Sequence, residues 1–110
     1  MSPNVREIQA TEYEREVTGA AGPVVVDFFS TECPPCEALA PKYEAVADQF
    51  AGKVAFLKIF RQGSRELATK LGVTGSPTLL FFKNGQEQGR RLTGDIKRSE
   101  IKAAVEALLG

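Results

Sequence analysis

The chain has 110 residues, enough for one domain (1–110) whose core needs no disulfide staples. Apolar residues make up 43% and charged residues 25%, an ordinary globular balance. The 14 basic and 14 acidic side chains cancel, which argues against both a nucleic-acid-binding stripe and an anionic-membrane surface.

From the N-terminus, Asn4 to Gln9 reads as a short strand on Val5 and Ile8. Thr11 and Glu14 have capping-box spacing, and Tyr13 and Val17 give one apolar stripe to a short helix ending at Gly19. After the Gly22-Pro23 break, Val24 to Phe29 is apolar except at Asp27, the pattern of a central strand covered on both sides. Alternation puts Val25, Asp27 and Phe29 on one face, and Val24, Val26 and Phe28 on the other.

Cys36 to Phe50 forms a helix with Leu39, Tyr43, Val46, Ala47 and Phe50 on its apolar face, and Pro41 predicts a kink over Glu37 to Pro41. Val54 to Phe60 is a buried strand, and Ser64 to Leu71 a short helix closed by Gly72. Thr78 to Phe82 is a strand joined through Asn84-Gly85 to a more polar edge strand, Glu87 to Thr93. A last helix runs from about Lys97 to Leu109, its cap left open between Asp95 and Ser99. The order β-α-β-α-β-α-β-β-α predicts an α/β fold, a mixed sheet with helices on both faces.

The chemistry centres on Cys33-Pro34-Pro35-Cys36, between the central strand and its helix. Cys33 falls near the N-cap and Cys36 in the first turn, where prolines are tolerated because first-turn amides have no intrahelical acceptor. The helix N-terminus favours a thiolate at Cys33, and the spacing lets a disulfide open and close with little backbone motion. The alternatives are inert buried cysteines or half a zinc site. With no third cysteine and no histidine, closed zinc coordination would need carboxylates, so dithiol chemistry is preferred and no metal or other cofactor is expected. No apolar run resembles a signal peptide or spans a bilayer, so the expected compartment is the reducing cytoplasm.

These pieces together resemble the thioredoxin family. The resemblance rests on Val25-Asp27-Phe28-Phe29 before the cysteine pair, Pro41 after it, Gly75-Ser76-Pro77-Thr78 before a strand, Lys83-Asn84-Gly85, and Gly94 ahead of the last helix. It implies a protein-disulfide oxidoreductase with Cys33 as exposed nucleophile, Cys36 as resolving thiol, and a cis Pro77 whose loop packs against the dithiol. In the family, the backbone of the residue before that proline, here Ser76, pairs with extended substrate. An ordinary trans proline at a strand start is the other reading of Pro77. For Asp27 the resemblance implies a buried carboxylate with a raised pKa that takes the proton of Cys36, and the plainer reading is an aspartate satisfied by a backbone group or a lysine.

Departures from the family pattern mark this chain. Its site reads Glu32-Cys33-Pro34-Pro35-Cys36-Glu37 where the family has Trp-Cys-Gly-Pro-Cys-Lys, and Phe29 stands for a tryptophan. The lysine commonly beside the buried aspartate is expected to be replaced by Phe56, which would raise the pKa of Asp27 further. Glu32 and Glu37 should disfavour the Cys33 thiolate and repel acidic partners. The expected partners are disulfide-bearing proteins and a reductase as electron donor, with a generic thioredoxin reductase recycling the protein poorly. Neither nucleic acid nor membrane is expected, and the chain is expected to be a monomer. Two other readings are a thioredoxin-like scaffold with weak redox activity and a dithiol oxidase or isomerase.

Overall fold

The structure, a computed structural model, describes residues 2–110. Strand β2 (Pro23–Phe29) runs through the middle of the sheet because nearly every side chain in it is apolar and both its faces are covered. β3 (Ala55–Phe60) pairs with it in parallel and β4 (Thr78–Lys83) antiparallel. β1 (Val5–Ile8) lies parallel on the outer side of β3. β5 (Gln86–Glu87) and β6 (Leu92–Thr93) share the outer edge of β4. The helices are α1 (Pro34–Gln49), α2 (Arg65–Leu71) and α3 (Arg98–Leu109).

The alternation along β2 separates two cores. Val25 joins Phe56, Leu79 and Phe81 under α1 and α3, against Leu39, Tyr43, Val46, Ile101 and Val105. Val24, Val26 and Phe28 face the other way and pack with Val17, Leu57, Ala68 and Leu80. Each such side chain contributes about 1.5–3 kcal/mol by leaving water, so the strand that carries the site is also the best-anchored one. The expected mixed sheet, flanked by helices on both faces, is the one that forms.

Local differences have local causes. Residues 10–18 form a 3-10 turn (Ala10–Glu12) and a π turn (Glu14–Thr18) rather than one α-helix. The cap is not the Thr11–Glu14 box: the Gln9 amide donates to Glu12 Oε1 at 2.8 Å, and Gly19 N donates to Glu14 O at 2.7 Å. Asn84 (φ 52°) and Gly85 (φ 78°) make the left-handed hairpin turn, and a Cβ on Gly85 would lie 2.1 Å from Thr18 O. The edge strand expected over Glu87 to Thr93 is broken in two. Gln88 N still donates to Phe81 O at 2.8 Å, but Gly89 then turns left-handed (φ 66°) and carries the chain off β4 until Leu92. α3 is capped at Lys97, whose amide donates to Glu100 Oε1 at 2.9 Å. No helix among the described residues is long and apolar enough to cross a membrane.

Candidate active site

The site forms where β2 ends and α1 begins. Glu32 sits in the left-handed region (φ 51°), a conformation that costs a non-glycine residue about 1–2 kcal/mol, and it turns the chain into the helix. Cys33 is the N-cap, and its Sγ accepts a hydrogen bond from Cys36 N at 3.3 Å. Pro34 and Pro35 fill the next two positions, where a missing N–H costs no intrahelical bond. The Cys33 and Cys36 sulfurs are joined as a disulfide, with Cα atoms 5.2 Å apart. Cys33 Sγ thus lies against an amide at the positive end of a helix, the kind of environment that stabilises a thiolate.

One expectation about exposure is corrected. Cys33 is covered, at 9% exposure, while Cys36 is half-buried. The disulfide explains it: Cys33 Sγ is turned toward its partner and back over the first turn, and Ser76 O lies 3.7 Å away. The Ser76–Pro77 peptide is cis. Gly75 is exposed, Ser76 half-buried and Pro77 buried, and Thr78 Oγ1 donates to Gly75 O at 2.7 Å, bracing the loop.

Asp27 lies in the core at 6% exposure, and its Oδ1 has no hydrogen-bond partner among the described residues. Burial raises its pKa from 3.8 to about 7, opposed by the charge of Lys58. The expected loss of a basic neighbour is therefore wrong. Strand register aligns Asp27 with Lys58, whereas Phe56 aligns with Val25 and packs edge-on against Tyr43 at 5.4 Å. Lys58 Nζ also sits 5.3 Å from the Phe29 ring centroid, and Phe29 lies 5.7 Å from Phe60. Tyr43 closes this side: its buried hydroxyl donates to Leu57 O at 2.7 Å, with Val25 O at 3.2 Å. Burial first, and the Asp27 charge second, push the Tyr43 pKa well above the usual value.

The cysteines and the Ser76 loop are thus in direct contact, with Phe29 at the end of the strand that feeds them. Glu32, Pro34, Pro35 and Glu37 are exposed around the dithiol, and neither glutamate has an ion-pair partner among the described residues. Two contributors went unrecognised in the sequence, Lys58 and Arg61. Arg61 Nε donates to Ser76 Oγ at 2.7 Å, and Arg61 N to Phe29 O at 2.8 Å. Its signal was positional: it follows β3, at the carboxyl end of parallel strands where sites of α/β proteins gather.

Residues 4–107 match the family model described as Thioredoxin. The thioredoxin of Peptoclostridium acidaminophilum is 37% identical over 110 residues, covering 100% of both chains. That of Pseudomonas aeruginosa is 32% identical over 107 residues, 97% of this chain and 98% of its own. A chloroplastic M-type thioredoxin of Pisum sativum is 33% identical over 93% of this chain and 59% of its own length. The crystal structure of a thioredoxin from Malassezia sympodialis matches with a TM-score of 0.83 at 34% identity, covering 96% of this chain and 91% of that one. With a closed dithiol at the head of α1 and likeness along nearly its whole length, the chain belongs to the thioredoxin family and is a thiol–disulfide oxidoreductase.

Proposed function

We propose that the protein reduces disulfides of polypeptide substrates by a two-step exchange in which Cys33 attacks and Cys36 resolves. The Cys33 thiolate attacks one sulfur of the substrate disulfide, a Cys33–substrate disulfide forms, and the other substrate sulfur leaves as a thiolate that takes up a proton. Asp27 then accepts the Cys36 proton. The Cys36 thiolate attacks Cys33 Sγ and closes the intramolecular disulfide, and the second substrate thiolate leaves. Two electrons pass from the dithiol to the substrate. The dithiol is itself the redox group, so the step calls for no metal or organic cofactor.

The observation that carries this reading is the disulfide at the helix N-cap, with Cys36 N directed at Cys33 Sγ. Support for Asp27 as proton acceptor comes from its unpartnered Oδ1 and a pKa of about 7, suited to gaining and losing a proton at neutral pH. Gly75, Ser76 and Pro77 take the role of substrate cradle, with the Ser76 backbone pairing with extended chain, and Glu32, Pro34, Pro35, Phe29 and Glu37 shape the surrounding rim. A reductase restores the dithiol. A reducing cytosol fits this cycle because a reductant is available there. The broken, charged edge over β5 and β6 supports a monomer.

Insulin reduction by dithiothreitol provides the test. The protein should accelerate it, Cys33→Ser should abolish the acceleration, and Cys36→Ser should accumulate a mixed disulfide. No acceleration by the unmodified protein would leave the scaffold reading in its place.

A further inference from the structure

The active-site segment itself carries acid on both sides of the dithiol, at Glu32 and Glu37. A cation reaches the same site from another strand. Arg61 follows Phe60, the last residue of β3, and is held at two points: its amide donates to Phe29 O at 2.8 Å and its Nε to Ser76 Oγ at 2.7 Å. The second of these residues lies against the chemistry, since Ser76 O is 3.7 Å from Cys33 Sγ.

The bond to Ser76 uses one donor of the guanidinium fork. The Nη donors have no carboxylate partner among the described residues, and the side chain is half-buried rather than free in water. Such a guanidinium is already oriented, so less side-chain freedom is lost when it takes a carboxylate than for a loose surface lysine. Its planar fork matches a carboxylate in two parallel hydrogen bonds.

We propose that Arg61 is a specificity-determining residue, which receives an Asp or Glu side chain of the polypeptide lying along Ser76. The proposal rests on the exchange reading and on Ser76 as the place where substrate backbone pairs. Because Ser76 adjoins the attacking sulfur, the favoured acid lies close in sequence to the cysteine under attack. Acidic substrates are then not repelled uniformly. Glu32 and Glu37 disfavour acid near the dithiol segment, Arg61 favours it over Ser76, and the charge preference depends on position along the substrate.

The test uses the reduced full chain and otherwise identical disulfide peptides carrying Glu, Gln or Lys beside the attacked cysteine, with each flank tried in turn at low ionic strength. At one flank the Glu peptide should react about fivefold faster than the Lys peptide. That ratio should fall to near one in Arg61→Gln, reverse in Arg61→Glu and shrink without vanishing in Arg61→Lys, which keeps the charge but loses the fork and its bond to Ser76. Equal rates for all peptides with the unmodified protein, or a ratio unchanged in Arg61→Gln, would overturn the assignment. So would a ratio that fails to reverse in Arg61→Glu, which would mark a steric effect. Failure to reduce any peptide, Gln included, would instead overturn the exchange reading on which it stands.

Discussion

Replacing Asp27 by asparagine should move the stability difference between the two oxidised proteins toward the variant as pH rises from acid to alkaline. The carboxyl group lies at 6% exposure with an unpartnered oxygen, and burial raises its pKa from 3.8 to about 7 against the pull of Lys58. The sign follows from proton counting. Below the unfolded pKa both states hold the proton, and burial of a neutral acid carries no charge penalty. Between the two values the folded state keeps a proton that the unfolded chain has released, so stability falls as pH rises, by about 1.4 kcal/mol per unit. Above about pH 7 both states are ionised and the loss is constant. A shift of about three units makes that loss about 4 kcal/mol, of the order of a small domain's whole stability.

Asparagine has the same shape and does not ionise. Whatever its amide costs in the core is the same at every pH, so only the change in the difference between the two proteins matters. The background is quiet: the chain has no histidine, and in the oxidised state its cysteines do not titrate. Urea unfolding of both oxidised proteins from pH 4 to pH 8.5 is the assay. The stability difference should move in favour of asparagine by about 4 kcal/mol, most of it between pH 4 and pH 7. A difference that stays flat within about 1 kcal/mol would show that the carboxyl is not held neutral by burial, and would remove the basis for its role in proton transfer.

In the same variant, attack by Cys36 on a preformed mixed disulfide should slow about 100-fold at pH 7, read by rapid-quench kinetics, and a rate within about twofold of the parent would exclude Asp27 as the acceptor. Tyr43→Phe removes the buried hydroxyl bond to Leu57 O and should cost about 1–2 kcal/mol in urea unfolding, with less than about 0.5 kcal/mol counting against that bond's importance. Gly85→Ala and Gly89→Ala both place a side chain at positive φ, but a Cβ at Gly85 meets Thr18 O at 2.1 Å and one at Gly89 meets nothing within 4 Å. The first should therefore cost at least about 3 kcal/mol and the second about 1 kcal/mol, and equal costs would refute the steric account. With Glu32 and Glu37 flanking the dithiol, a generic thioredoxin reductase should recycle the protein more slowly than an ordinary thioredoxin in an NADPH-coupled assay. Equal turnover would show that those charges do not face the reductase.

The centre of the fold was legible because a doubly covered strand must be apolar on both faces, which leaves Asp27 conspicuous in β2. The cysteines were legible because their spacing falls where a strand feeds a helix, and the structure puts Cys33 at the cap as the prolines required. What one strand's pattern cannot contain is its register against another. Shifting β3 by two residues past β2 keeps every side chain on the same face, so hydrophobic alternation does not distinguish Phe56 from Lys58 as the neighbour of Asp27. Arg61 was hidden for a related reason. It reaches Ser76 only because the parallel pair β2–β3 and the antiparallel pair β2–β4 bring separate loops to one end of the sheet. Cys33 was misjudged at a finer level still, since position along a helix does not specify which way a bonded sulfur turns.

The register that places Lys58 opposite Asp27 also bears on the chemistry. Burial alone drives the carboxyl toward a permanently neutral state, in which it holds a proton but takes none. Lys58 works against burial, and the aromatic face of Phe29 lies beside the same ammonium group. The outcome is a carboxyl with a pKa of about 7, divided between its two protonation states near neutrality. On the proposed exchange, an acceptor with that pKa would take a thiol proton without a large penalty and release it again before the next cycle. Phe29 lies in the same strand as Asp27 and gives Lys58 a surface to lie against, so on the proposed exchange it bears on the acceptor as well as on the rim.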